Sequence, residues 1–262
     1  MNNFSIKNPN EIKRLMELSL TTGQYMLENG AETYRVEDTM IRICNSKSNI
    51  TNVDSFVTQT GIFITLEYKD IVYSNFRRVQ SLQIDLNKIH EINKFSRTFV
   101  NNNISIEQGI ETIEKINSTQ SYSNFIKVLS GSGAAAFFTL LFGGTFKDFI
   151  ASFLISILVL IVLFKIEKYK LTFFLDNLIG AFLISSFTYL AVLLKIGDNI
   201  DKIIIGSIMY LVPGVAITNS IRDTMSGDSI TGLSRGLEAI FSALAIASGV
   251  GIILNLYMKG AL

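Results

Sequence analysis

The chain has 262 residues, of which 48% are hydrophobic and 17% are charged, and its formal net charge is +1. A nearly neutral chain lacks the basic face that nucleic-acid binding requires, so we expect no nucleic acid among its partners. One cysteine excludes an intramolecular disulfide. With one histidine there is no His/Cys cluster for zinc, so we predict no metal site and no cofactor.

Charge is concentrated in the first half of the chain. Of the 23 basic and 22 acidic residues, 27 lie before Phe125 and 18 follow it. The first half therefore has the composition of a water-soluble domain, and the second half that of a lipid-embedded one. The N-terminal residues contain no apolar stretch of the kind found in signal peptides, so we expect the first half to stay in the cytoplasm.

The first half predicts a small α+β domain, residues 1–120. Apolar residues recur there with helical spacing in four segments, and three shorter segments read as strands, two of them joined by a tight turn at Lys69-Asp70. The predicted helices cover residues 10–28, 33–44, 82–100 and 106–117, and the predicted strands cover residues 50–57, 62–68 and 71–76.

The second half, residues 121–262, predicts an all-α polytopic membrane domain. Five apolar runs are each close to the roughly 20 residues that a bilayer requires. The predicted fold is therefore an α+β soluble N-terminal domain followed by about five transmembrane helices. An odd number of spans and a weak lysine and arginine bias place the N-terminus in the cytoplasm and the C-terminus outside. The predicted spans cover residues 126–146, 148–166, 173–195, 200–220 and 235–258.

A break is predicted in the fourth run, at Pro213-Gly214. Proline has no N–H and clashes with the preceding turn, so the carbonyl of Met209 loses its helical partner. Discontinuous helices at membrane depth often bind ions and substrates in transporters. A simple proline kink between two spans is an equal alternative. If the break is a site, Gly214 would allow close backbone approach, and Asn219 and Arg222 would offer donors to a carboxylate; otherwise Arg222 would pair with Asp223 or Asp228 to close a loop.

Few charged groups lie near the predicted spans. Asp176, with Asn177 beside it, lies at the mouth of the third span, and Glu238 lies at the mouth of the fifth. Such groups face a partner or a cavity when they lie deep in the membrane. A transport role is therefore one interpretation, and interfacial pairing of Asp176 with Lys170 and of Glu238 with Arg235 is the other.

The densest polar cluster of the first half lies around the second predicted helix. Arg35 follows Glu32 by three residues and Arg42 follows Asp38 by four, so both pairs can form ion pairs along the helix surface. With Glu37 these carboxylates could in principle support acid–base chemistry. No nucleophile–base motif accompanies them, so we predict no catalytic residue and favour a solvated face or a surface that couples the domain to the membrane part.

Two blocks of sequence carry a resemblance to a known family. ENGAETYRVEDTMIRIC (residues 28–44) and VTQTGIFITL (residues 57–66) resemble the N-terminal signature of the bacterial and fungal threonine/serine exporter family, and residues 212–252 resemble its later signature. The matching positions are Gly30, Glu32, Tyr34, Arg35, Glu37, Asp38, Pro213, Gly214, Asn219, Arg222, Asp223, Gly227, Asp228, Gly232, Arg235 and Glu238.

The resemblance implies a cytosolic N-terminal domain followed by a multispan exporter region in the cell membrane. Long members carry a second membrane half, whereas this chain ends at residue 262 and resembles the short, split form, which works with a separate small multi-span membrane protein. A higher oligomer is also compatible with it. Some split systems export dicarboxylates such as succinate, so both an amino acid and a dicarboxylate remain open as substrates.

The sequence leaves three possible functions open. The first is a membrane subunit of a secondary exporter for a small polar metabolite, since no ATP-binding loop is present. The second is a hydrolase-like enzyme in the N-terminal domain, and the third is a structural or regulatory membrane subunit. For the exporter, the substrate-binding candidates are Pro213, Gly214, Asn219, Arg222, Asp223, Asp176, Asn177 and Glu238, and the structural or coupling candidates are Glu32, Arg35, Glu37, Asp38, Gly227, Gly232 and Arg235.

Overall fold

The computed structural model describes residues 5–80, 83–102, 104–119, 122–169 and 171–259. These residues form two compact units. Unit 1 comprises Met1–Ser121 together with Ile217–Gly236, and unit 2 comprises Tyr122–Ala216 together with Leu237–Leu262. The predicted boundary residue between the two domains, Gln120, lies outside the described residues.

Unit 1 contains four helices and a three-stranded sheet from its N-terminal segment. The first helix begins at a Pro in its first position, after Asn8, whose side chain accepts the Glu11 N–H at 3.0 Å. The helices are α1 (Pro9–Glu28), α2 (Thr33–Cys44), α3 (Leu86–Asn101) and α4 (Ile106–Ser118), and the strands are β1 (Thr51–Thr58), β2 (Gly61–Tyr68) and β3 (Ile71–Arg78). All predicted helices and strands of this segment are present, although α3 begins at Leu86 and Leu82 lies outside the described residues.

The sheet is antiparallel with the order β1-β2-β3. Lys69 and Asp70 form the turn between β2 and β3 with positive φ angles of 51° and 62°, the backbone conformation that suits a two-residue hairpin. Alternate residues of β2, among them Ile62, Ile64 and Leu66, are buried in a core shared with α1 and α2. The predicted hairpin is confirmed.

The described residues of unit 2 form helices joined by turns and loops, and they contain no strand. Two helices contribute to both units, because α9 ends in unit 1 and α10 begins there. The helices are α5 (Asn124–Leu141), α6 (Phe146–Ile166), α7 (Phe173–Leu193), α8 (Ile200–Ile208), α9 (Gly214–Met225) and α10 (Ser229–Met258), with a short 3-10 helix at Glu167–Tyr169.

The predicted fold class is wrong in two respects. First, the N-terminal segment does not form a separate soluble domain that precedes the membrane part, because residues 217–236 complete unit 1. Second, within the described residues four helices, not five, are long and apolar enough to cross a membrane. They are Asn124–Leu141, Phe146–Tyr169, Phe173–Leu193 and Ser229–Met258.

The fourth predicted span is missing for a physical reason. The helix of that run stops at Ile208, and residues 209–213 form turns before α9 begins at Gly214. Pro213 cannot donate a backbone hydrogen bond and its ring disrupts the turn before it. The break predicted from Pro213-Gly214 is therefore confirmed. It divides an apolar run that would be read as one span if only its length and composition were considered.

Candidate functional site

One loop of unit 1 is held by side chains of α9 and of the start of α10. The loop comprises residues 30–33, from the end of α1 to the first residue of α2, and each of its four residues contacts a different side chain of these two helices. We refer to these eight residues as the polar network. Its contacts are Asn219 Nδ2 donating to Gly30 O at 3.1 Å, Arg235 Nη2 donating to Ala31 O at 2.9 Å, an ion pair between Arg222 and Glu32, and Thr33 N donating to Asp223 Oδ1 at 3.3 Å.

The first turn of α2 depends on Asp223 for its cap. A helix N-terminus leaves backbone N–H groups without helical acceptors, and Glu32, which precedes α2, makes no side-chain capping bond. Asp223 supplies the acceptor instead, because its Oδ1 also accepts the Thr33 hydroxyl at 3.1 Å. Gly30, with φ of 91°, lets the chain turn out of α1 toward this contact. A carboxylate here also faces the positive end of the helix dipole.

Two glycines shape the turn between α9 and α10. Gly227, with φ of 96°, ends α9 in a Schellman motif, in which Asp228 N donates to Asp223 O at 2.9 Å and Gly227 N donates to Thr224 O at 3.1 Å. Gly232 lies so close to α9 that a Cβ there would come within 2.1 Å of Thr224 Oγ1 and 2.9 Å of Thr224 N. The two helices therefore approach closely, with their polar side chains on the loop of residues 30–33.

Asp223 and Arg235 form a buried ion pair at the centre of the polar network. Arg235 Nη1 lies 3.0 Å from Asp223 Oδ2, and the two side chains are 6% and 0% exposed. Burial raises the pKa of Asp223 above its ordinary value, although Arg235 and Thr33 oppose that shift. Because removal of either partner would leave a buried charge without its counter-charge, this pair fixes how the loop of residues 30–33 fits against α9 and α10.

Glu32 lies between two arginines. Arg35 Nη1 is 3.0 Å from Glu32 Oε2, and Arg222 Nη1 contacts the other oxygen, Oε1. Burial raises the pKa of Glu32, but its own backbone N–H, Arg35 and Arg222 outweigh burial, so the pKa lies below its ordinary value. Glu32 is therefore ionised at neutral pH. The predicted pairing of Arg35 with Glu32 is confirmed.

The two other acidic candidates on α2 are placed differently. Glu37 accepts a hydrogen bond from Val57 N at 3.0 Å, and burial, together with the nearby acidic groups Asp228 and Asp223, raises its pKa. Asp38 lies on the exposed face and pairs with Arg42, as the spacing predicted. Glu37 therefore ties α2 to β1, while Asp38 belongs to the solvated surface.

A second polar site lies in unit 2. A cleft of about 430 Å³ is lined by residues of α5, α6, α7 and the turns after α8. Asp176 and Asn177 line it from the first turns of α7, and Tyr210, whose buried hydroxyl has no hydrogen-bond partner among the described residues, lines it from the break. Lys127 and Glu167 complete the polar lining. The cleft thus combines one cation, two carboxylates and two neutral polar groups with apolar walls.

Asp148 lies in the first turn of α6, at the other end of this helix from the residues that line the cleft. This buried carboxylate accepts hydrogen bonds from Thr145 N at 2.8 Å, Asp198 N at 2.7 Å, and from both Asn199 N at 2.9 Å and Asn199 Nδ2 at 2.8 Å. It caps α6 and fixes the connection between α7 and α8. The contacts of Asp148 are all internal, which marks it as structural.

The structure brings some predicted site residues together and separates others. Asp176 and Asn177 share the cleft of unit 2, whereas Asn219, Arg222 and Asp223 belong to the polar network of unit 1. Asp176 was also considered as a partner of Lys170, which lies outside the described residues.

Arg222 has a partner that neither sequence interpretation considered. It pairs with Glu32, 190 residues away, and not with an acidic residue of its own loop. Arg235, considered as a partner of Glu238, pairs with Asp223; Glu238 itself is half-buried in α10.

Pro213 and Gly214 lie at the break but make no close approach. A Cβ built on Gly214 would meet no atom within 4 Å among the described residues. The role of Gly214 in letting a substrate approach the backbone stays a prediction. Sequence reasoning also missed Lys127, Glu167 and Tyr210 in the cleft. Only Tyr210 carried a signal, because it lies within the run that Pro213 interrupts.

Both sequence blocks that carry the family resemblance meet in the polar network. The model of the threonine/serine exporter family, ThrE, matches residues 17–257. The chain belongs to this family. As a ThrE member with four helices able to span a bilayer in its described part, it is a multi-pass membrane protein.

Curated relatives of this ThrE chain are distant. It is 23% identical over 258 residues to the threonine/serine exporter of Corynebacterium glutamicum, covering 92% of this chain and 51% of that protein. It is 21% identical over 248 residues to a probable threonine/serine exporter of Mycobacterium tuberculosis, covering 93% of this chain and 46% of the relative. The chain therefore spans about half the length of these two relatives.

Another relative has the length of this chain. The probable succinate transporter subunit YjjP of Escherichia coli is 21% identical over 249 residues, covering 95% of this chain and 96% of that protein. No solved structure matches the chain.

Proposed function

We propose that this chain is a membrane subunit of a secondary exporter for a small polar metabolite, with its N-terminal residues on the cytoplasmic side of the cell membrane. Membership of an exporter family supports this assignment over the two alternatives. The carboxylates of the polar network argue in the same direction, because Glu32 and Asp223 are both held by arginines and backbone groups. Such side chains fix a structure more readily than they move protons.

The cleft of unit 2 is the observation that carries the proposal. Its lining includes Tyr210 and Leu211, from the non-helical segment that interrupts the fourth apolar run. Irregular backbone at membrane depth is tolerated where it is buried in protein or lines a water-filled cavity, and transporters use such breaks to bind substrates. The Tyr210 hydroxyl beside Asp176 and Asn177, which has no hydrogen-bond partner in the part of the chain that the structure describes, is available for a ligand.

The charges in the cleft favour an amino acid over a dicarboxylate. Lys127 can bind one carboxylate group, whereas Asp176 and Glu167 attract an ammonium group and repel a second carboxylate. This balance agrees with the names of the two long relatives. Succinate, in the name of the relative of equal length, is the alternative, and a partner subunit would then have to supply further cations.

The name of one relative supports a partner. The relative of equal length is named a transporter subunit. We propose that a second small multi-span membrane protein completes the path. In this arrangement the polar network, together with the turn that contains Gly227 and Gly232, couples α2 to the start of α10.

The decisive experiment measures efflux of radiolabelled threonine and of succinate from cells that make the chain together with its partner. Asp176→Asn should reduce threonine efflux per molecule by about tenfold or more at unchanged membrane abundance, because an ionic contact with the ammonium group is lost. Asp201→Asn is the matched control, since Asp201 lies on α8, is 61% exposed and pairs with Lys202 away from the cleft.

Two results would contradict the proposal. Equal efflux per molecule for Asp176→Asn and the control would remove the cleft from the transport path. Efflux of succinate without efflux of threonine would overturn the assignment of an ammonium-bearing substrate.

A further inference from the structure

The three charged groups at the start of α2 do not balance. One carboxylate, Glu32, faces two guanidinium groups, those of Arg35 and Arg222, so one positive charge of the three groups has no counterpart among them. Glu32 is 8% exposed, but the side chains of Arg35 and Arg222 are 39% and 54% exposed. The excess positive charge is therefore accessible from solvent.

Both arginines retain unused donors. A guanidinium carries five N–H donors in a planar fork that matches a carboxylate. In the described residues, the contacts of Arg35 and Arg222 with Glu32 use one nitrogen of each, Nη1. Glu32 therefore holds each fork by a single nitrogen, and a ligand carboxylate that gripped the forks bidentately would take the place of Glu32.

A nearby ion pair shows that this arrangement is specific. Asp38 and Arg42 also lie on α2, but they pair one to one, and their charges cancel. By contrast, the pair of arginines around Glu32 combines segments that are 190 residues apart, because Arg222 comes from α9. A ligand at this place would therefore contact both segments at once.

We propose that Arg35 and Arg222 form a binding site for a small-molecule carboxylate, and that Glu32 is its built-in competitor. In this structure Glu32 occupies the site. A carboxylate ligand binds the guanidinium groups of Arg35 and Arg222 in place of Glu32. Glu32, which immediately precedes α2, is then released from Arg222. This breaks one of the four contacts of the polar network. The site lies in unit 1, shares no residue with the cleft of unit 2, and does not depend on the transport proposal.

The test is direct binding to the purified full-length chain in detergent, with sodium succinate and sodium acetate as probes in titration calorimetry at constant ionic strength. If Glu32 occupies the site about nine-tenths of the time, Glu32→Gln should tighten probe binding about tenfold. The double variant Glu32→Gln/Arg222→Gln should lose this gain. Because it retains the intact cleft, it also reports any binding there.

Asp38→Asn is the matched control, because it frees an arginine on the same helix without opening the proposed site. Tighter binding confined to Glu32→Gln and abolished in the double variant supports the proposal. An equal gain for Asp38→Asn, or a gain that persists in the double variant, overturns it. If Glu32→Gln fails to fold, wild type and Arg222→Gln decide: loss of the wild-type binding in Arg222→Gln supports the site, and equal binding in both overturns it.

Discussion

Removal of Arg235 is the most informative perturbation of the polar network. In Arg235→Gln, the carboxylate of Asp223 would remain fully buried without its cation, and the Ala31 carbonyl would lose the donor now 2.9 Å away. Breaking a buried ion pair by removing one partner costs about 3–5 kcal/mol. For a chain of this size, that corresponds to a decrease in Tm of roughly 6–20 °C.

The control for this prediction is Arg42→Gln. Arg42 and its partner Asp38 are 33% and 62% exposed, and exposed pairs contribute about 0.2–1 kcal/mol. The Tm of this variant should therefore fall by less than about 4 °C. Thermal unfolding of the purified full-length protein in one detergent, followed by circular dichroism, measures both variants.

The pH dependence identifies the cause. Burial already raises the pKa of Asp223, and loss of Arg235 should raise it further above the value in the unfolded chain. A carboxyl group with a raised pKa stabilises the fold while protonated, and that contribution is lost as pH rises through the folded-state pKa. The deficit of Arg235→Gln should therefore be larger at about pH 8 than at about pH 5. Equal losses for the two variants, or a deficit independent of pH, would refute the reasoning.

Three further predictions test other parts of the chain. Gly232→Ala places a Cβ 2.1 Å from Thr224 Oγ1 of α9 and should destabilise the protein by about 1–3 kcal/mol. In the control Gly251→Ala the new Cβ meets no atom within 4 Å among the described residues, so the Tm should stay unchanged or rise slightly. Asp148→Asn turns an NH₂ group toward backbone N–H donors and should cost about 1–3 kcal/mol, measured against the exposed-site control Asp201→Asn. Burial raises the pKa of Cys44 to about 12, so N-ethylmaleimide should label the native protein negligibly and the unfolded protein with one group per chain; rapid native labelling would contradict that burial.

Local structure could be predicted from the sequence where one signal decided it. The alternation of residues 62–68 and the turn at Lys69-Asp70 specified the hairpin, and Pro213 specified the break, because each effect acts within a few residues. The number of spans could not be obtained in this way. When spans are counted from the lengths of apolar runs, α8 and α9 appear as one segment. The break in fact leaves α8 with nine residues, too few to cross a bilayer.

The polar network could not be predicted for a different reason. Glu32 and Arg222 are 190 residues apart, and each has acidic or basic neighbours that offer a local partner. Charge spacing predicts pairs within one helix, as it did for Arg35 and Arg42, but it contains no information about which segments meet in space. The family resemblance marked both segments without indicating that they touch.

Because α10 is long, a small change in its tilt displaces its ends by several ångströms. Its 30 residues extend for about 45 Å, whereas the hydrocarbon core of a bilayer is about 30 Å thick. About two or three turns of the helix therefore project beyond the apolar layer, and Arg235 is the seventh residue from its start. A change in tilt of about 10° displaces one end of such a rod by about 8 Å relative to the other. No ion pair stretches that far, so any rocking of this helix must either carry the start of α2 with it or detach it.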